Sequence, residues 1–268
     1  MLVDFILQDP KKMMNFIDTH THIYLSEFAQ DIDVVMLRAD AEGIKKIFLP
    51  AIDSSHHEEM FLLEEKFPNT CFSMMGLHPC YVKENYLDEL KKVEELFKQR
   101  TFAAVGEIGL DFYWDTHFAK QQYAAFEQQM QWALDYNLPI NIHTRNATQE
   151  TIERVKPFAL KGLKGIFHCF GGTYETAKQI INLGFLMGIG GVVTYKKSGL
   201  DEVLKNISLE HIVLETDAPY LTPVPYRGKR NESSYIKIIA EHIAIIKNES
   251  IEEVAWVTSN NAEKIYGC

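Results

Sequence analysis

The sequence lacks the features of a membrane protein and of a disulfide-rich secreted protein. Its four cysteines in 268 residues form no C-x-x-C pair and are too few for a disulfide scaffold, which fits a reducing compartment. The longest nearly apolar run, 183–193, has only about half the residues needed to span a bilayer. Residues 1–13 begin with a short apolar stretch that contains Asp4, with no basic region before it and no small-residue cleavage pattern, unlike a signal peptide. We therefore expect a soluble, cytoplasmic protein with no membrane partner, and we interpret residues 1–13 as an N-terminal extension.

The sequence also lacks an excess of basic residues and any long polar linker. Its formal net charge of −10 argues against a broad basic surface that binds nucleic acid by releasing counterions. A nucleic-acid substrate is still compatible with this charge, because bound divalent metals supply positive charge locally. No segment rich in proline, glycine or serine divides the chain, and its 46% hydrophobic content is enough for one large core. We expect one domain, 14–268, with no stable protein partner evident.

What the sequence does contain is a regular alternation of apolar, strand-like runs with segments of helical periodicity. We predict strands at 15–18, 46–51, 71–76, 102–106, 139–143, 165–169, 185–189 and 212–215. We predict helices at 30–42, 56–66, 87–99, 117–136, 147–159, 174–183, 197–206 and 232–246, and an extra C-terminal helix at 250–265. This alternation predicts an α/β fold. The number of repeats, eight, favours the closed (β/α)8 TIM barrel over a doubly wound sheet.

Polar residues follow these strands at the rim where barrel enzymes assemble their sites, the carboxyl ends of the strands. They are His20, His22, His78, Glu107, His143, His168 and Asp217. His20 and His22 are two positions apart directly after the first strand. Because alternate residues of a strand point to the same face, both imidazoles project to one side and can reach one ion. All except His78 are candidate metal ligands. Four imidazoles and two carboxylates exceed what one catalytic ion needs, which indicates two ions that share a bridging carboxylate.

Glu107 is the natural bridge, because its strand lies between the early histidine pair and the two later histidines around the barrel. We assign His20, His22, Glu107 and Asp217 to one metal, and Glu107, His143 and His168 to the other. Each residue type also has an ordinary alternative. A single histidine is more often a hydrogen-bonded core residue than a ligand, Glu107 alone would fit an ion pair, and Asp217 would fit a helix N-cap.

Further residues at the rim fit contacts with a substrate. Arg145 offers paired hydrogen bonds to phosphate oxygens, and His78 would contact the same group or hold an additional ion. Alternatively, Arg145 pairs with a nearby carboxylate. The aromatic residues Phe112, Tyr113 and Trp114 after the fourth strand would stack on a base or form a hydrophobic lid, and the sequence does not separate the two.

Six motifs occur in order between about residues 15 and 267. They are Asp18-Thr-His-Thr-His22, Gly76-Leu-His-Pro79, Gly106-Glu-Ile-Gly-Leu-Asp111, His143-Thr-Arg145, His168-Cys-Phe170 and Glu215-Thr-Asp-Ala-Pro-Tyr220. In order and spacing they resemble the TatD family of metal-dependent hydrolases, within the amidohydrolase-like barrels. The resemblance implies a divalent-metal phosphodiesterase, a deoxyribonuclease with exonuclease activity, and it implies the six ligands above. The segment 227–232 resembles the family's loop after the last strand, and we place its Arg230 with His78 and Arg145 as a substrate-binding residue.

We predict a hydrolase in which a water activated by two divalent ions attacks phosphorus, with Asp217 as the catalytic base and Glu107 as the bridging carboxylate. The ions are zinc, manganese, nickel or magnesium, because these accept nitrogen and oxygen ligands. The expected substrate is nucleic acid, as DNA ends or short single strands. Two alternatives stay open: an amidohydrolase or lactonase that uses the same ligands on a small substrate, and a non-catalytic metal-binding barrel.

Overall fold

The computed structural model describes residues 14–267, so the extension predicted at 1–13 lies outside the described residues, as does Cys268. Within 14–267, strands and helices alternate along the chain. The strands are β1 (Phe16–Asp18), β2 (Ile44–Pro50), β3 (Cys71–Met74), β4 (Val105–Asp111), β5 (Ile140–Arg145), β6 (Gly165–Phe167), β7 (Leu186–Ile189) and β8 (Ile212–Leu214). The helices are α1 (Ile32–Ala41), α2 (His57–Lys66), α3 (Tyr86–Gln99), α4 (Ala119–Asp135), α5 (Thr148–Ala159), α6 (Tyr174–Asn182), α7 (Leu200–Lys205), α8 (Ile236–Lys247) and α9 (Ile251–Tyr266).

All neighbouring strands pair in parallel, in the orders β1-β2-β3 and β4-β5-β6-β7-β8. Backbone hydrogen bonds also join the two groups. Met75 donates to the carbonyl of Ala104 at 3.1 Å between β3 and β4, and Thr19 donates to Leu214 at 3.0 Å between β1 and β8. The architecture is the predicted (β/α)8 TIM barrel with an extra C-terminal helix. No helix between residues 14 and 267 has the length and apolar character needed to cross a bilayer.

The strands bury both faces, one against the helices and one inside the barrel. In β8, for example, Ile212 and Leu214 join the large cluster between strands and helices, while Val213 joins a smaller cluster. This alternation follows from the period of two along a strand. We call the smaller cluster the interior plug; it consists of Ile17, Phe48, Met74, Ala104, Ile166, Val213 and Ala262. Ala262 belongs to α9, so the last helix contributes to the interior.

Helix α9 closes the barrel beneath the plug. Ser250 caps its N-terminus by accepting a hydrogen bond from the Glu253 amide at 3.1 Å, and Gly267, with φ of 72°, ends it. The ring of Tyr266 stacks on Phe48 with centroids 3.7 Å apart. The last turn of the helix is therefore fixed against a strand in the barrel wall.

One predicted boundary was wrong in a way that matters for the site. The fourth strand was predicted at 102–106, but β4 runs Val105–Asp111, so Glu107 lies within the strand and not after it. This segment contains two glycines, Gly106 and Gly109. In the structure they allow close packing against β5, because a Cβ on Gly109 would stand 1.9 Å from the carbonyl oxygen of His143. The fifth strand was predicted at 139–143, and β5, Ile140–Arg145, continues two residues further, so Arg145 also lies within the strand.

Candidate metal centre

A buried carboxylate, Glu107, stands at the centre of the polar cluster on the rim. Its two oxygens face different sets of imidazoles. Oε2 lies 3.3 Å from His20 Nε2 and 3.4 Å from His22 Nε2. Oε1 lies 2.8 Å from His143 Nδ1 and 2.9 Å from His168 Nε2. Each oxygen thus belongs to its own group of nitrogen atoms, which is the arrangement expected of a bridging ligand.

The first group consists of His20, His22 and Asp217. The Nε2 atoms of the two histidines are 3.2 Å apart, and Asp217 Oδ1 lies 3.6 Å from each of them. Asp217 is placed by its backbone, since its amide donates to the carbonyl of His20 at 2.9 Å. Its φ of 56° lies in the left-handed region, which is uncommon for a residue other than glycine and occurs often at functional sites.

The second group consists of His143 and His168, and His78 joins it. His78 Nε2 lies 3.2 Å from Glu107 Oε1, and the ligand atoms of His78, Glu107 and His143 lie within 4.8 Å of one another. The rings of His20 and His168 stack with centroids 3.8 Å apart, so the two groups are in direct contact. The structure therefore brings together all six predicted ligands and places His78 beside them.

The outer nitrogens of His20 and His22 have hydrogen-bond partners that we did not predict. His20 Nδ1 lies 2.7 Å from Asn141 Oδ1. His22 Nδ1 lies 3.0 Å from the hydroxyl of Tyr24, which itself donates to the carbonyl of Pro50 at 2.6 Å. Because both partners accept the Nδ1 proton, each Nε2 presents a lone pair toward the other imidazole.

Carboxylates occupy the corresponding positions in the second group. Asp111 Oδ2 lies 2.9 Å from His143 Nε2, and Glu215 Oε1 lies 3.6 Å from His168 Nδ1. Gly188 makes room for Glu215, since a Cβ there would stand 1.9 Å from its Oε2. Asp111 and Glu215 occur inside the motifs found in the sequence, so a search for a partner to each ligand histidine would have found them.

The charges in this cluster offset one another. Burial alone would raise the pKa of Glu107, but the nearby imidazoles, His78 and His168 foremost, hold that pKa well below its usual range. Burial lowers the pKa of His168, and the carboxylates of Glu107 and Glu215 outweigh it, so this pKa lies well above the usual value. Burial also raises the pKa of Asp217. Metal binding at these groups would compete with protons.

The donor set fits divalent cations. The ligand atoms of His20, His22 and Asp217 lie within 4.8 Å of one another, as do those of His78, Glu107 and His143. Lone pairs that face each other at 3.2 Å repel unless a cation or a proton lies between them. Imidazole nitrogen and carboxylate oxygen without thiolate suit zinc, manganese and nickel, and suit magnesium less well.

Comparison with known proteins identifies the family of this chain. The family model described as TatD related DNase matches residues 17–267. The chain belongs to the TatD family. An uncharacterized metal-dependent hydrolase, YabD of Bacillus subtilis, is 35% identical and matches over 93% of this chain and 98% of its own.

Two further similarities concern a named activity and a solved structure. The 3'-5' ssDNA/RNA exonuclease TatD of Pantoea ananatis is 30% identical over 93% of this chain and 98% of its own. The crystal structure of YjjV, a TatD homologue from Escherichia coli K12, superposes with a TM-score of 0.89 at 27% identity, covering 96% of this chain and 99% of that one. The chain is thus a TatD-family metal-dependent hydrolase by sequence and by fold.

This TatD-family chain has a cleft of about 870 Å³ above the cluster. Among the predicted site residues, His22, His78, Glu107, His143, Arg145, His168 and Asp217 line it. The alternative of an ion pair for Arg145 is not supported: within residues 14–267 its guanidinium contacts the rings of Tyr113 and Trp114 and no carboxylate. The N-cap alternative for Asp217 also fails, because the next helical turn, Ser233–Tyr235, begins well beyond it.

Arg230 is the one predicted substrate contact that the structure does not bring into the cleft. Its guanidinium pairs with both oxygens of Asp31 at 2.8 and 2.7 Å, and it donates to the carbonyl of Glu27. It also lies 4.3 Å from the ring centroid of Phe28. These contacts fasten the loop after β8 to the segment before α1. A contact between Arg230 and substrate stays a prediction.

Proposed function

We propose that this TatD-family hydrolase cleaves phosphodiester bonds of single-stranded nucleic acid, as a deoxyribonuclease of exonuclease type that uses two divalent metal ions. The observation that carries the proposal is that the two carboxylate oxygens of Glu107 face different histidines. Its Oε2 faces His20 and His22, while its Oε1 faces His143 and His168. One carboxylate between two groups of nitrogen donors fits two ions that act on one bond.

The substrate class is supported by the cleft and by the relatives. Arg145 is exposed at the cleft and has a planar guanidinium that suits phosphate oxygens. The net charge of −10 leaves phosphate recognition to a few local cations, so long duplex DNA has no broad surface to bind. The relative from Pantoea ananatis carries the name of a 3'-5' exonuclease on single strands. We propose the same direction for this chain.

Asp217 is the proposed general base. Its side chain is 14% exposed, whereas that of Glu107 is 3% exposed, so water in the cleft reaches Asp217 more readily. Bound divalent cations would supply the Lewis acidity that lowers the pKa of the attacking water and neutralises phosphate charge. Asp217 then accepts the proton of that water, and Arg145 holds the phosphate in line. Glu107, whose side chain is almost fully buried, contacts both groups of histidines and holds them at a fixed spacing.

The proposal is tested on protein stripped of metal and reloaded with zinc, manganese, nickel or magnesium, one at a time. Each form is offered a single-stranded oligonucleotide labelled at its 5' end, an amide and a lactone. We expect only the oligonucleotide to be cleaved, with products shortened from the 3' end. Elemental analysis measures how much metal each form holds.

The controls separate the alternatives. Glu107→Gln removes the charge shared by the two groups, so it should lose both metal and activity. Hydrolysis of the amide or lactone in preference to the oligonucleotide would make the chain an amidohydrolase or lactonase. Full metal loading without turnover of any of the three substrates would indicate a metal-binding barrel and refute the proposal.

A further inference from the structure

The loop after β4 holds two large aromatic side chains out of the core beside the metal centre. Tyr113 is 51% exposed and Trp114 is 69% exposed. Asp111 holds this loop in place, because its Oδ1 accepts the amide protons of Tyr113 at 2.9 Å and Trp114 at 3.1 Å. Rings that could contribute free energy by burial are instead fixed at the surface, which points to an interaction with another molecule.

Arg145 completes this surface. Its Cζ lies 3.8 Å from the ring centroid of Tyr113 and 5.2 Å from that of Trp114. Its carbonyl accepts the amide proton of Phe112 at 2.9 Å, so the start of the loop is tied to β5. We call Tyr113, Trp114 and Arg145 the aromatic shelf. It presents an aromatic face, on which a base can stack, beside a guanidinium, which can bind the phosphate of the same nucleotide.

One carboxylate connects the shelf to the metal centre. While Asp111 Oδ1 holds the loop, its Oδ2 lies 2.9 Å from Nε2 of the ligand His143. Trp114 and Arg145 also line the cleft together with His143 and Asp217. A group that stacks on the shelf is therefore adjacent to a phosphate placed over the cluster.

We propose that the aromatic shelf binds the base of the nucleotide next to the scissile phosphate, with Trp114 supplying the stacking face and Arg145 the contact to a phosphate oxygen. The inference rests on the proposed function and adds a specificity-determining subsite to it. A base stacks there only when it is unstacked from its own neighbours, so the shelf selects single strands or frayed ends over a closed duplex. Of the two alternatives that the sequence leaves open, a lid and a stacking surface, the proposal takes stacking.

The test compares strands that differ by one base. The probes are a short thymidine single strand and two matched strands that carry a base-free tetrahydrofuran residue on one or the other side of the bond that is cleaved. We expect the metal-loaded parent to prefer the thymidine strand over one of the two base-free strands by about 5- to 150-fold in kcat/KM, the usual range for one stacked base. The preference should arise mainly in KM, since stacking is equal in the ground and transition states.

Variants assign that preference to the shelf. Trp114→Ala should reduce it to about twofold or less, whereas Trp114→Phe, which keeps an aromatic face, should retain most of it. Arg145→Lys, which keeps the charge without the planar group, should raise KM for all three strands alike. Trp256→Ala is the matched control, because Trp256 lies in α9 away from the cleft, and it should leave the preference unchanged.

The outcomes that overturn the shelf differ from those that overturn the function. Equal kcat/KM for the three strands with the parent, or an unchanged preference in Trp114→Ala, would refute the shelf and leave the nuclease proposal intact. If the parent cleaves none of the strands, the proposed function fails, and fluorescence anisotropy of the same labelled strands measures their binding instead. Tighter binding of the thymidine strand that Trp114→Ala abolishes would still support the shelf, and equal binding would refute it.

Discussion

The interior of the barrel near α9 is lined by apolar side chains, whereas the interior at the rim holds five imidazoles around one buried carboxylate. The plug, which includes Phe48, consists of buried apolar side chains, whose burial stabilises the fold. At the rim, by contrast, imidazole nitrogens and carboxylate oxygens are buried close together. Like groups among them repel each other, and each needs a hydrogen-bond partner or an ion. The difference indicates that one end of the interior stabilises the fold and that the other is maintained for chemistry at some cost in stability.

The largest expected effect is on turnover, from Asp217→Asn at the rim. Asparagine keeps the shape and an oxygen that can coordinate, but it cannot accept the proton of the attacking water. Turnover should fall by about two to four orders of magnitude while the second group of ligands keeps its metal. Steady-state kinetics on an oligonucleotide, with metal content measured on the same samples, checks this.

His143→Ala is the companion variant, because it removes a ligand and not the base. Added metal should partly restore its rate but should not restore that of Asp217→Asn. If fully loaded Asp217→Asn cleaved the oligonucleotide within a few-fold of the parent, the role of proton acceptor would belong to another residue.

A substitution in the plug should have the opposite effect to one at the rim: a large loss of stability and little loss of turnover. Phe48 is fully buried and stacks on Tyr266 at 3.7 Å, so Phe48→Ala leaves a cavity and should lower the free energy of unfolding by about 3–5 kcal/mol. Turnover per folded molecule should stay within about twofold. Leu160→Ala, at a side chain that is 83% exposed, serves as the control and should change stability by less than about 0.5 kcal/mol. If Phe48→Ala lost as much turnover as Asp217→Asn, the interpretation that one end of the interior serves stability and the other serves chemistry would be wrong.

Asn141 lies where the two ends meet, and its substitution should give an intermediate effect. Its Oδ1 accepts from His20 at 2.7 Å, and its Nδ2 donates to the hydroxyl of Tyr266 at 3.5 Å. Asn141→Ala should weaken metal binding by about 10- to 100-fold, because His20 loses the partner that fixes its ring. Competition with a metal-binding dye measures the affinity, and Asn182→Ala, at an exposed position in helix α6, is the control. Unchanged affinity would show that packing alone orients His20.

The smallest effect is expected from Arg230→Ala, outside both regions. Its ion pair with Asp31 is partly exposed, so its loss should cost about 0.2–1 kcal/mol of stability. KM for single strands should stay within about twofold, since Arg230 does not line the cleft. A several-fold rise in KM with unchanged stability would instead support the substrate contact predicted from the sequence.

The barrel and the cluster of candidate ligands on its rim were predictable because both follow from local patterns. Apolar, strand-like runs separated by helical segments predicted the eight strands, and polar residues after those runs predicted the rim. The end of β4 was missed because Glu107 is polar and is flanked by glycines, features that resemble a turn. Inside the barrel, the imidazoles around this carboxylate replace water, so a buried strand can carry it.

The supporting contacts were harder to predict because they join distant parts of the chain. Asn141 is 121 positions from His20, and Asp31 is 199 positions from Arg230. Nothing in the local sequence around Arg230 distinguishes an arginine that binds phosphate from one that fastens a loop. Asn141, two residues before His143 on the same strand face, is the exception, since the period of two would have placed it beneath the ligands.

The contacts of Tyr266 determine how late in synthesis the cluster on the rim can reach its final geometry. Its hydroxyl donates to the carbonyl of Thr19, 247 positions earlier, and contacts Asn141, which orients His20. A ribosome that has added every candidate ligand through Asp217 has therefore not yet added the residue beneath the first of them. The candidate metal-binding side chains are all synthesised before the interior that aligns them is complete. The geometry of the cluster seen in the structure forms only after translation has passed residue 266.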